Sequence, residues 1–152
     1  MPTEHCSLCE EGKSCGNHHV YVIEFRKEVA SEYAKGPYKG YLYVGSTGKS
    51  VEERFDDNFR LKDGTKLSIE EGRKRSAEKV WKYNSKNMRR IRRHYLKHRP
   101  DLLYRKANPI EGGKEAAERR EKKLVRRLTN KGWKVEGPKE KIKDPDGKSS
   151  KT

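Results

Sequence analysis

Apolar residues are sparse along this chain, and they fall into short separated runs whose spacing alternates between sheet and helix. The run VYVIEF at residues 20–25 is almost continuously apolar and rich in branched and aromatic side chains, which predicts a strand buried on both faces. A second run at 41–44 follows a polar stretch that closes on Gly36-Pro37, so the two runs predict an expanded hairpin. Ser50 with Glu53 three residues later forms a capping box, and it opens a helix on which Val51, Phe55 and Phe59 recur at i, i+4 and i+8. Arg54 and Asn58, also four apart, flank that stripe. Side chains there can reach a cleft while their helix stays anchored, which makes both candidates for function.

A second capping box, Ser68 with Glu71, opens a basic segment in which Val80, Tyr83, Ile91 and Tyr95 are the sparse apolar positions and Asn84-Ser85 is an expected interruption. Pro100 ends it, and 102–104 is expected as a third strand. Asn108-Pro109 and Gly112-Gly113 then turn the chain into a final helix at 114–131, followed by a short strand at 133–135. On that helix Ala117, Leu124, Val125 and Leu128 share one stripe, and Glu121 falls inside it. An inward carboxylate is costly to bury, so a basic residue or a metal ion is expected beside it. Glu118, one position outside, pairs with Lys122 as an ordinary surface acid.

These elements define an α/β (α+β) fold with a three-stranded, mostly antiparallel sheet flanked by helices. Its expected extent is 19–136 with a basic helical insert at 66–99, between a leader at 1–18 and a disordered tail at 137–152. Composition narrows the partners. Of 152 residues 30% are hydrophobic and 40% charged, a lean core for its size. Lys and Arg number 38 against 23 Asp and Glu, and 38 − 23 = +15 favours a polyanion, nucleic acid before a membrane surface. Residues 73–99 alone hold twelve Lys or Arg with few acids between them, so this segment is the expected grip on backbone phosphates. Lys49, Asn58, Arg89, Arg90, Arg92, Arg93 and Lys97 are the candidate contacts. Neither a long apolar run nor a charged-then-apolar leader is present, so an intracellular protein is expected, cytoplasmic and nucleoid-associated if DNA is its target.

Three cysteines crowd the first fifteen residues, an odd number that suits metal binding or free thiols in a reducing compartment better than a disulfide framework. Cys6, Cys9, Cys15 and His18 have the spacing C-x2-C-x5-C-x2-H of a small Cys3His zinc knuckle, with His5 or His19 as alternative fourth ligands. Four protein ligands leave no open position for water, so such a zinc would be structural.

The stretch GSTGKS, Gly45 to Ser50, has the strand-turn-helix setting of a nucleotide phosphate loop. That loop needs a glycine where this chain has Tyr43, so no nucleotide cofactor is expected. The same tyrosine belongs to another set of motifs. His19-Val20-Tyr21, then Tyr43-Val44-Gly45, then Arg54 on a helix, then Glu121 in EKKLV resemble the GIY-YIG nuclease family over about residues 19–136. The stretch RPDL at 99–102, Asn108-Pro109 and Glu121 are similar to a group of small members of that family. The chain departs from the pattern at His19, where a glycine is usual, at Asn58, where many members carry a histidine or tyrosine, and in the terminal asparagine missing from 133–136.

The resemblance implies an endonuclease that hydrolyses DNA phosphodiesters by in-line attack of water. It implies a catalytic Mg²⁺ (or Mn²⁺) on Glu121, Arg54 against the phosphate oxygens, Tyr21 accepting the water's proton and Tyr43 orienting the reactants. The alternative is a non-catalytic nucleic-acid-binding protein on the same fold. The leader makes a separate prediction: purified protein carries about one zinc per chain, as one Cys3His site requires. A metal-free preparation of equal stability would remove the knuckle.

Overall fold

The computed structural model describes residues 17–31, 36–137, 142–143 and 149–150. Cys6, Cys9 and Cys15 of the expected zinc knuckle lie outside them, as does the expected tail apart from Gly137 and two dipeptides, Ile142–Lys143 and Ser149–Ser150, that pair with each other. The centre is the hairpin. Strand β1 (His19–Phe25) runs antiparallel to β2 (Tyr41–Thr47) with Val22 opposite Val44 and Tyr21 opposite Gly45. Side chains alternate across a strand, so this register sorts the hairpin into two faces. Val20, Val22, Leu42 and Val44 enter one core cluster, and Tyr21, Ile23, Phe25 and Tyr43 enter the other. The strand expected to be buried on both faces is so.

The first face is covered by α4 (Gly113–Asn130), whose stripe of Ala117, Leu124, Val125 and Leu128 is buried there with Ala107, Ile110 and Val135. The second face receives α1 (Val51–Asp57), capped by the Ser50 hydroxyl, which accepts from the Glu53 N–H at 3.1 Å. This helix ends at Asp57, so Phe59 belongs to the turn beyond it. It nevertheless packs on Phe55 with ring centroids 5.3 Å apart.

The sheet departs from expectation in two places. It has four strands in the order β3-β1-β2-β4 and is mixed rather than three-stranded. Strand β3 is Tyr95–His98, the end of the basic segment, and it pairs antiparallel with β1. The residues expected as the third strand instead begin inside a short 3-10 turn, Pro100–Leu102, and continue past its end. Burial decides between the two. Tyr95 sits 4.6 Å from the Phe55 ring and is buried in the second cluster, whereas Leu102 to Tyr104 only flank the first. Strand β4 (Lys134–Glu136) lies parallel to β2, a pairing that needs a long crossover, here the segment containing α4. Between α1 and β3 the basic segment is broken into α2 (Ile69–Lys74) and α3 (Lys86–His94), each capped by a serine, Ser68 and Ser85.

A lean core of this kind is extended by hydrogen-bonded polar residues. Asn108 donates to the Val20 carbonyl at 2.8 Å and accepts from the Val20 N–H at 2.7 Å, so its amide acts as a short piece of strand beside β1. Arg92 on α3 is completely buried. Its guanidinium donates to the Asn58 carbonyl at 2.9 Å, the Tyr83 carbonyl at 3.1 Å and the Asn84 side chain, and it stacks 4.3 Å from the Trp81 ring. Burial first, and the nearby Arg89 charge second, together lower its pKa to about 10. Arg92→Met would strand three acceptors in the interior. It is expected to cost about 2–4 kcal/mol in urea unfolding. A loss below about 0.5 kcal/mol, typical of a surface site, would contradict this role.

Candidate active site

Glycine 45 makes the site possible. It faces Tyr21 across the hairpin, and a Cβ there would stand 2.6 Å from the Tyr21 hydroxyl and 3.0 Å from Cε2 of Tyr43. Only a residue without a side chain lets both phenols lie over this part of β2, their ring centroids 6.2 Å apart. Both rings are buried. Burial is the main cause that raises the Tyr21 phenol far above its usual range, with neighbouring Tyr43 adding to it, Arg54 opposing it and Glu121 raising it again. Tyr43 is raised for the same leading reason, with Arg54 opposing and Glu121 and Glu136 adding. Arg54, on the first helix after the turn, is thus near enough for its charge to act on both phenols. Its Nη1 is buried and makes no hydrogen bond in the folded chain.

The inward carboxylate expected on the last helix is there. Glu121 is only 9% exposed, and its Oε1 accepts a hydrogen bond from the Ser46 hydroxyl. Burial raises its pKa, and the Ser46 hydrogen bond partly offsets this. Strand β4 ends opposite Tyr43, so Glu121 from α4 and Tyr43 from the other face of the sheet share one cleft beyond the end of β4. The cleft holds about 300 Å³ and is lined by Tyr43, Asn87, Glu121, Glu136 and Gly137. Asn87 approaches the Tyr43 hydroxyl at 3.4 Å, and Glu136 pairs with Arg90 at 3.3 Å.

The donors in this cleft are all oxygen or amide groups. A partly desolvated carboxylate with a hydroxyl neighbour, a second carboxylate and a phenol suits a hard cation such as Mg²⁺ or Mn²⁺. Among the described residues no three His, Cys, Asp or Glu side chains converge. A cation would therefore rest on one or two carboxylates, which Mg²⁺ accepts when water and phosphate complete its shell. His18, the described member of the zinc set, is half-buried beside Gly48, and its backbone pairs with Ile110.

The basic candidates separate. Arg89, Arg90 and Arg93, with Lys86, Ser76 and Ala77, line a cavity of about 700 Å³ against α3. Lys49 is exposed in the turn and pairs with Asp57 at 2.9 Å, and Lys97 is exposed on β3. Arg92 and Asn58 do not belong to that surface. Arg92 is committed to the interior contacts above, and Asn58, 1% exposed, caps α1 by donating to the Phe55 carbonyl at 2.9 Å.

Ser46, Asn87 and Glu136 are site residues that sequence reasoning missed. Ser46 follows the second motif directly and alternates away from Gly45, toward α4. Glu136 stands on the last strand, and its pairing opposite Tyr43 depends on the parallel register. Among the described residues no helix is long and apolar enough to cross a membrane. No protein-family model, curated protein or solved structure matches the chain.

Gly45→Ala tests the geometry. Forcing a methyl between the two phenols is expected to cost about 1–3 kcal/mol and to shift the tyrosine fluorescence of the folded protein. Unchanged stability would mean that the rings have more room than this packing allows.

Proposed function

We propose that the protein is a metal-dependent endonuclease that hydrolyses phosphodiester bonds, with DNA as the expected substrate. The observation that carries this is that Arg54 and Glu121 lie near enough to Tyr21 and Tyr43 for their charges to act on both phenols, four residues from four separate elements, with Tyr43 and Glu121 lining one small cleft, on a chain of net charge +15. A Mg²⁺ or Mn²⁺ ion held by Glu121 would supply charge stabilisation at the scissile phosphate and the departing oxygen.

Arg54 brings a planar fork whose buried Nη1 is without a protein acceptor, and a phosphoryl oxygen is an acceptor it can satisfy. Removing one such donor from developing charge costs about 10²–10³ in rate. Tyr21 holds its proton firmly in the free protein. It can donate a hydrogen bond to a bound phosphate or water at once, and it could take the water's proton only after giving up its own, which burial first and then Tyr43 and Glu121 oppose and Arg54 favours. Tyr43, bonded to Asn87, fixes the direction of the second phenol. Asn58 has no part in this chemistry, so the absence of a histidine at that position removes nothing from the cleft as built.

The raised Tyr21 phenol favours a second reading, a nucleic-acid-binding protein that does not cleave. One experiment separates the two. Supercoiled DNA incubated with protein and Mg²⁺ or Mn²⁺ is expected to be nicked, with Glu121→Gln and Arg54→Met each slowing the reaction by about 10² or more. Tight binding without nicking would select the second reading, and variants that nick as fast as wild type would remove both residues from the site.

A further inference from the structure

Helix α3 is a wall between two cavities of opposite character. Lys86, Arg89, Arg90 and Arg93, spaced i, i+3, i+4 and i+7, turn to the larger cavity, whose lining among the described residues includes no acid. Ser76, almost fully buried, adds a hydroxyl to that lining. Asn87, one residue along the helix, turns instead to the carboxylate cleft. An ion pair bridges the two cavities. Arg90 lines the basic cavity and Glu136 lines the cleft, and the pair joins them at 3.3 Å with both side chains largely shielded, 13% and 23% exposed.

We propose that the basic cavity binds a non-scissile backbone phosphate of the nucleic acid, and that Arg90 is a latch which exchanges Glu136 for that phosphate. The proposal rests on the nucleic-acid reading above but not on cleavage. A guanidinium has two faces of its fork to give, yet its charge is best satisfied by one anion at close range. With no nucleic acid bound, Arg90 neutralises Glu136 at the edge of the cleft that Glu121 also lines. A phosphate entering among Lys86, Arg89 and Arg93 competes for Arg90 with the stronger local field. The carboxylate it leaves behind stands beside Glu121, Tyr43 and Asn87, where it is free to serve as a second oxygen ligand for a divalent cation. Backbone capture in one cavity and completion of the cation site in the other are then the same event, and an empty protein holds its metal site one ligand short.

The coupling is read by binding alone, in EDTA, with a short fluorescein-labelled DNA duplex and the full-length protein. Glu136→Gln removes the carboxylate that competes for Arg90, so it is expected to tighten binding roughly five- to tenfold, the scale of one recovered charge-assisted contact. In an Arg90→Met background the same change is expected to add nothing. Arg89→Ala and Arg93→Ala should each weaken binding and lower the salt slope by about one. Glu136→Asp, which keeps the charge but shortens its reach, gives the same gain if the Gln variant does not fold. No gain from either variant, or an equal gain with Arg90 absent, would overturn the latch, the latter because it would be a general field effect. Wild-type protein with no salt-dependent affinity for the duplex would instead remove the nucleic-acid reading itself.

Discussion

The register of the β1–β2 hairpin is the constraint on which the remaining structure depends. Setting Tyr21 opposite Gly45 and Val22 opposite Val44 sends valines to one helix layer and aromatic rings to the other. A slip by one residue would place Val44 across from Tyr21, putting the two phenols on opposite faces of the hairpin and mixing the valine and aromatic layers. The same register directs Ser46 to Glu121 and lets β4 bring Glu136 beside Tyr43. One glycine and one pairing therefore locate the cleft, and the helices supply its charges.

Much of this could be read in advance because it is local. Ser50 and Ser68 cap helices through contacts three residues away, and the apolar stripe that placed Glu121 inward depends only on helical spacing. Features that depend on partners distant in sequence were hidden. Tyr95 to His98 look like the end of a basic helix until Phe55 and β1 provide an aromatic surface and a free edge to pair with. Arg92 is indistinguishable from Arg93 in a run of cations, and only the carbonyls of Asn58 and Tyr83 with the face of Trp81 make the interior acceptable to it. Glu136 gains its meaning from a parallel pairing that no short-range pattern encodes.

The protein meets its shortage of apolar residues by treating charged groups as building material. Arg99 joins Glu24 on β1 to Asp101 just after β3 and stands 5.4 Å from the Trp133 ring, so one guanidinium ties the hairpin to the turn that follows and to the start of β4. His98, kept neutral by burial at a pKa of about 4, donates no charge to the aromatic layer and packs as a ring against Phe55 and Tyr95. Interiors of this kind are specific. Each buried polar group accepts few geometries, so the arrangement tolerates fewer alternatives than an oily core of the same volume.

The Asn108 clamp has a consequence for how the molecule meets its own copies. Unpaired strand edges are templates on which other chains can add strands and aggregate. Strand β3 covers β1 only at Ile23 to Phe25, and the remaining edge toward His19 would be open if Asn108 and Ile110 did not occupy its hydrogen-bonding groups. The outer strands left on the sheet, β3 and β4, are short and lysine-bearing, which are the usual defences against sheet extension. A carboxamide thus does the work of a fifth strand, and a thinly cored, highly charged domain keeps its hydrogen-bonding edge closed to neighbours.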